Sequence, residues 1–246
     1  WRRPGTVEKL KEADTDWKRW LLDRPFETFD PRKYLEFRLF WPYSSGMPAQ
    51  WMSHQIDTVH WFSGLKHPRS VVANGGIYMW KDGRRNWDTT TAVFDYGPVN
   101  DPTNGFQVIF SSRMHNGDDD PSEIYYSNGG TLNLITNRVT PQGGLQKGPA
   151  SAMGMQPNLL PEIKLDDLPS KVVSSANTGA DELTSGHMRN WMDSVRNRTQ
   201  PNAPVEAGYS HAIATIMTNA AVRTGAKAHF DEARQEVIAN GKVFQY

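Results

Sequence analysis

Thr89-Thr90-Thr91-Ala92-Val93-Phe94-Asp95-Tyr96 alternates β-branched and aromatic positions. That two-residue period belongs to a strand with one buried face. The same signal recurs on both sides. Downstream lie Phe106-Gln107-Val108-Ile109-Phe110-Ser111-Ser112-Arg113 and a hairpin, Glu123-Ile124-Tyr125-Tyr126, then Asn128-Gly129-Gly130, then Thr131-Leu132-Asn133-Leu134-Ile135. Upstream, Ser70-Val71-Val72-Ala73 and Ile77-Tyr78-Met79-Trp80 flank Asn74-Gly75-Gly76, with a turn at Lys81-Asp82-Gly83-Arg84. Helical patterns bracket these strands. One runs from Pro48 to Phe62 and closes at Gly64; two more cover Ala180 to Arg196 and Val205 to Gly225. The last carries an apolar stripe of Ala212, Ile213, Ile216, Ala220 and Ala221. Helices, a run of strands, then helices predict an α+β fold: one large, mostly antiparallel open sheet with helices packed on one face. Residues 139–176 read as an excursion with little periodicity, and residues 1–44, rich in Trp, Arg and Pro, as a lead-in of short helices and loops.

Composition narrows the function classes. The chain has 246 residues, 27 basic and 27 acidic, for a formal net charge of zero. A nucleic-acid binder needs a basic field, and none is present. Aromatics are 11% of the chain, more than a disordered polymer carries. There are no cysteines, which excludes disulfides, thiolate zinc sites and a Cys nucleophile and leaves the redox compartment open. No run of 18 apolar residues predicts a membrane span. The sequence opens on Trp1 rather than Met, from which an upstream part is expected.

The helix from Pro48 carries the chemistry. On a wheel of 100° per residue, Met52, Ile56, Val59 and Phe62 share a sector of about 120°, the expected core face. Gln50, His54, Asp57 and Trp61 share a sector of about 60° on the other side. His54 and Asp57 are i,i+3 neighbours. A carboxylate beside an imidazole raises its pKa and fixes its tautomer, as a general acid/base requires. From the wheel alone, a structural hydrogen bond is the commoner account of such a pair. His54, Asp57 and His60 also suggest a metal set, but their spread of about 120° is wide for one ion.

Ser45-Gly46-Met47-Pro48-Ala49-Gln50-Trp51-Met52-Ser53-His54-Gln55-Ile56-Asp57-Thr58-Val59-His60-Trp61 resembles the G-G-x-x-x-D-x-x-x-H-x-I-D segment of the glucose–fructose oxidoreductase / inositol dehydrogenase / MocA family. Asp16-Trp17-Lys18-Arg19-Trp20-Leu21 with Pro25-Phe26 and Phe29-Asp30-Pro31-Arg32 and Tyr34 resembles the lead-in of its bacterial branches. His187-Met188-Arg189-Asn190-Trp191-Met192-Asp193-Ser194-Val195-Arg196 and Gln200-Pro201-Asn202-Ala203-Pro204-Val205-Glu206-Ala207-Gly208 resemble its closing helices. The resemblance spans nearly the whole chain. It implies a C-terminal domain, residues 45–246 after the lead-in, that binds substrate and assembles a homo-oligomer through its open sheet face. The family's NAD or NADP sits on an N-terminal Rossmann domain whose G-x-G-x-x-G/A fingerprint and E-K-P lysine are absent here, so no cofactor-binding residue is expected in this chain. The family's acid/base histidine maps to His54. The Asp four residues earlier maps to Gln50, which can orient a hydroxyl but cannot carry a proton. Asp57 remains to orient His54.

Gln50, Trp51, Tyr78, Lys81, Arg113 and His187 are the candidates to surround a sugar or polyol. For Tyr78, Trp80 and Lys81, a sheet-face cluster packed against helices or a partner subunit is the commoner account, and for His187 a cap or packing role is an equal one. His211 reads as structural, and His115 with the acidic loop Asn116-Gly117-Asp118-Asp119-Asp120 as solvated, lacking EF-hand spacing. The expected function is the substrate-binding part of an NAD(P)-dependent oxidoreductase in a bacterial cytoplasm or periplasm. The alternatives are a cofactor-free sugar-binding or assembly module, and a lyase, hydrolase or epimerase acting on oxidised sugars.

Overall fold

The computed structural model describes residues 1–98, 105–114, 122–142, 146–164 and 182–245. The chain forms two compact units, one of Trp1–Asn116 with Val205–Tyr246, the other of Gly117–Pro204.

The first unit begins with short capped helices. After α1 (Pro4–Val7), α2 (Trp17–Trp20) starts at Asp16, whose carboxylate accepts from the Arg19 amide at 3.2 Å. Asp30 caps α3 (Pro31–Leu35) in the same way, with Pro31 supplying the fixed φ of the first position. These helices pack through aromatic rings. Trp17 is buried, stacks on Trp20 at 5.0 Å, meets Phe29 edge-on and donates its indole N–H to the Glu27 carbonyl at 2.8 Å. Glu36 is fully buried but satisfied: Arg2 Nε (3.0 Å), the Arg3 amide (2.6 Å) and Arg32 Nε (2.9 Å) all donate to it. Burial raises its carboxyl pKa, yet these donors outweigh burial and hold it below the usual range.

The helical run from Pro48 falls where the periodicity puts it, with one irregularity. Pro48–Met52 is a π-turn and Ser53–Ser63 (α4) is regular; Gly64 closes it in the left-handed region at φ 69°, its amide bonding the His60 carbonyl. Met52, Ile56 and Val59 are buried as expected. Phe62 is not: it is 48% exposed, and His60 is buried instead. The buried arc is rotated toward His60, whose Nε2 reaches the Tyr96 hydroxyl at 2.9 Å.

The main sheet has six strands, all antiparallel: β1 (Ser70–Gly76), β2 (Thr89–Tyr96), β3 (Phe106–Arg113), and, from the C-terminus, three more. Labelled in chain order after the four strands of the smaller unit, these are β8 (Ala228–Asp231), β9 (Glu236–Ala239) and β10 (Lys242–Val243). The spatial order is β10-β9-β8-β1-β2-β3. The sequence reading ended the chain on two helices. Four-residue and two-residue strands among charged residues leave no periodic signal, so this half of the sheet was not anticipated. Register fixes the faces. Thr90, Ala92, Phe94 and Tyr96 are buried, and helix α7 (Val205–Thr224) packs on that side against β1, β8, β9 and α4. Ile213, Ala214, Met217, Ala220 and Ala221 of α7 are buried, while Ala212 and Ile216 of the expected stripe are half-buried.

A second correction concerns residues 77–80. Strand β1 ends at Gly76, and the chain curls. The buried Asp88 carboxylate accepts from three successive amides, Tyr78 (3.0 Å), Met79 (2.9 Å) and Trp80 (2.9 Å), which gather their N–H groups on one point and prevent an extended ladder.

The second unit holds a small antiparallel sheet in the order β4-β5-β6-β7: β4 (Ile124–Tyr126), β5 (Thr131–Asn133), β6 (Arg138–Thr140) and β7 (Ile163–Lys164). The expected hairpin is β4–β5, paired Tyr125 to Leu132. Helix α5 (Lys147–Ala152) follows β6, and α6 (Glu182–Asn197) follows β7. No helix among the described residues is long and apolar enough to cross a membrane.

Candidate functional site

The candidate residues of the first unit gather on the helical run from Pro48 and on the loop 77–88 stitched to its start. Asn86 makes the stitch. Its amide Nδ2 donates to the Ser44 carbonyl (2.7 Å) and the Arg38 carbonyl (3.0 Å), its backbone N–H bonds the Leu39 carbonyl, and Arg223 Nη2 donates to its Oδ1 at 3.2 Å. Arg223 in turn lies 3.8 Å from the Trp41 ring centroid and 4.7 Å from that of Trp87. Gly46 permits this approach. A Cβ there would stand 2.9 Å from Asn86 Cβ, and its φ of +68° is left-handed.

His54 is exposed on α4, one turn beyond the half-buried Gln50. Gln50 Oε1 accepts from Arg38 Nε at 2.7 Å, which leaves the NH2 end of its amide to donate outward. Trp51 (41% exposed) and Trp61 (81% exposed) present ring surface beside this helix face. The contact made by the Asp57 carboxylate is with Nδ1 of His211, at 3.5 Å, and not with His54. His211 is thus tied to the helix that carries the candidate acid/base.

Tyr78 is exposed on the loop, and Lys81 Nζ donates back to the Ile77 carbonyl. Arg84 lies over the Trp80 ring at 4.6 Å and grips the Asp82 carboxylate with Nε and Nη2, both at 2.8 Å. That grip, first of all, holds the Asp82 carboxyl far below the usual range. Arg113, at the end of β3, is exposed; its register partner on β2 is Thr89. His187 is exposed on α6 in the other unit. His115 and Asn116-Gly117-Asp118-Asp119-Asp120 lie outside the described residues.

No group of three or more His, Asp or Glu among the described residues is placed to hold a metal ion. The set His54, Asp57 and His60 is split by the helix itself: His54 is exposed, while His60 is buried with Nε2 at Tyr96. The described residues do not form a Rossmann-type dinucleotide site either. A pyrophosphate needs a glycine-rich turn between a parallel strand and a helix N-terminus. Every strand pair described is antiparallel, and the sequence has no G-x-G.

Sequence reasoning missed Arg38. It lies in an irregular stretch twelve residues before its partner, and no period links the two. No family model matches this chain. No curated protein matches it either. Among solved structures, it is similar to an oxidoreductase from Agrobacterium radiobacter in complex with NAD+, L-tartaric acid and magnesium (14% identity, TM-score 0.51, 82% of this chain and 53% of that one). It is also similar to the WlbA dehydrogenase from Bordetella pertussis in complex with NADH and UDP-GlcNAcA (14% identity, TM-score 0.51, 82% of this chain and 50% of that one). The chain therefore has the α+β fold found in part of these oxidoreductases and spans about half their length.

Proposed function

We propose that this chain is the substrate-binding part of an NAD(P)-dependent oxidoreductase of the glucose–fructose oxidoreductase / inositol dehydrogenase / MocA type acting on a CH–OH group of a sugar or polyol, with His54 as the acid/base. The observation that carries the reading is the helix face: an exposed imidazole one turn from an amide whose oxygen is held by Arg38, beside exposed indoles. The fold shared with structures holding NAD+ or NADH supports the oxidoreductase class.

In this role an imidazole nitrogen of His54 takes the hydroxyl proton as the carbon is oxidised and returns it in the reverse direction. Gln50 donates to a neighbouring hydroxyl and carries no proton. Trp51 and Tyr78 cover the apolar C–H face of the ring, and Lys81 and Arg113 contribute donors. Asp57 is paired with His211 and is assigned no proton transfer. The nicotinamide chemistry is assigned to residues outside these 246. The metal version of the lyase, hydrolase or epimerase alternative lacks support, because His60 is buried against Tyr96 and away from the exposed His54.

The test is calorimetry of the chain with a panel of polyols, sugars and keto-sugars. At least one should bind, and His54→Ala should weaken it about tenfold, as loss of a polar contact of about 1.4 kcal/mol requires. Absence of heat with every compound, or equal binding by the variant, overturns the assignment. The open sheet face is proposed as the homo-oligomer contact.

A further inference from the structure

The geometry points to Arg38 as the residue that selects the substrate class, a carboxylate-bearing polyol such as a sugar acid; this rests on the reading of the His54 face as the substrate site. Arg38 is half-buried, and among the described residues it pairs with no carboxylate. Its Nε–H is taken by Gln50 Oε1, a neutral acceptor, at 2.7 Å. Two other guanidiniums of this unit are neutralised, Arg32 by Glu36 and Arg84 by Asp82, whereas the half-buried Arg24 spends its Nη2 on the Pro42 carbonyl beside the Tyr43 ring. A partly desolvated cation without a counter-charge is costly unless an anion arrives to meet it.

The edge left free is the pair of Nη groups, a planar fork that matches the two oxygens of one carboxylate. Its position is fixed from both ends. Asn86 holds the Arg38 carbonyl at 3.0 Å, and Gln50 holds Nε. The guanidinium is therefore pre-organised. Gln50 and His54 are i,i+4 neighbours, roughly 6 Å apart at Cβ. An acid group on Arg38 thus places a hydroxyl of the same molecule before His54. The neutrality of Gln50 is what keeps the fork available, since a carboxylate at that position would close it. One charge on Arg38 balances one on a carboxylate, which favours it over a dianionic phosphate.

The experiment is calorimetry of the chain with matched ligands: glucose, glucuronate and glucose 6-phosphate. Glucuronate should bind at least about tenfold more tightly than glucose, the effect of a charge-assisted bidentate contact. Arg38→Met should erase that preference while glucose binding persists. Gln50→Glu, isosteric and expected to pair with Arg38, should erase it too, which guards against a folding defect in the first variant. If glucose binds and glucuronate gains nothing, or if the preference survives in both variants, the assignment of Arg38 falls while the reading of His54 stands. Tighter binding of glucose 6-phosphate than of glucuronate overturns the carboxylate class. If neither glucose nor any acid derivative binds, both readings fall together.

Discussion

His60 and His54 share a helix and have opposite surroundings. The His60 ring is buried, with Nε2 at the Tyr96 hydroxyl and Nδ1 without a partner. Burial, ahead of the opposing effect of Asp57, pushes its imidazole down to about 4 from 6.5. The folded chain therefore binds a proton at His60 more weakly than the unfolded chain does. Stability from this group is complete above about pH 6.5 and is lost as pH falls toward 4. The loss should reach on the order of 3 kcal/mol at the acid end. Urea unfolding at closely spaced pH values should show the midpoint falling through that window. His60→Gln, which keeps a partner for Tyr96 but does not titrate, should flatten the fall. A parallel fall in the variant would show that other groups carry it. Glu36 works in the same sense at lower pH: its depressed carboxyl gives stability that is present above the ordinary carboxylate pKa and is lost as pH falls below it, so its loss follows that of His60 on the pH axis.

At the scale of elements, the loop 77–88 and the helical run from Pro48 act as one piece because Asn86 joins them, and Gly46 is where that joint is most sensitive. Gly46→Ala places a Cβ 2.9 Å from Asn86 Cβ in a left-handed conformation. The backbone cost is about 1–2 kcal/mol. Displacing Asn86 leaves buried carbonyls unsatisfied, at about 1–3 kcal/mol more. Chemical denaturation should show a loss of at least about 2 kcal/mol, and a loss under about 0.5 kcal/mol would remove Asn86 as the joint. What the sequence disclosed at this scale follows from locality. Met52, Ile56 and Val59 repeat with the helical period and Gly64 stops it, so the helix and the exposure of His54 were legible. Residues 77–80 look like a strand because Ile and aromatic residues favour one; the carboxylate that curls them belongs to Asp88, outside that window. Arg38 was hidden for the same reason, its role being set by a contact across an irregular turn. The π-turn at Pro48–Met52 has no signature in the apolar period, and beyond it the buried arc takes in His60 in place of Phe62.

At the scale of the whole chain, the main sheet is covered by helix α7 on one side, and the register defines what the other side offers. Val72, Val93 and Ile109 align across β1, β2 and β3, and Val72 and Ile109 are 46% and 70% exposed. On one flank of this apolar row Asn74, Thr91 and Ser111 form a neutral polar row, with Thr91 and Ser111 hydroxyls 3.0 Å apart, and on the other Ser70 and Gln107 donate to the Asp95 carboxylate. An apolar row between polar rows on a broad, regular surface is the proposed site for self-association. Net charge supports it: with a formal charge of zero and a pI near 7.2, no long-range repulsion keeps copies apart at neutral pH. Sedimentation at pH 7 should therefore give a mass above 27.8 kDa. Ile109→Lys, which sets like charges opposite each other across a two-fold contact and changes no buried position, should return the protein to the monomer without lowering its melting temperature. Association should also weaken as pH moves well away from the pI, because each copy then carries charge of one sign. A wild-type protein that stays at 27.8 kDa at tens of micromolar would leave the face uncovered and sink the homo-oligomer proposal.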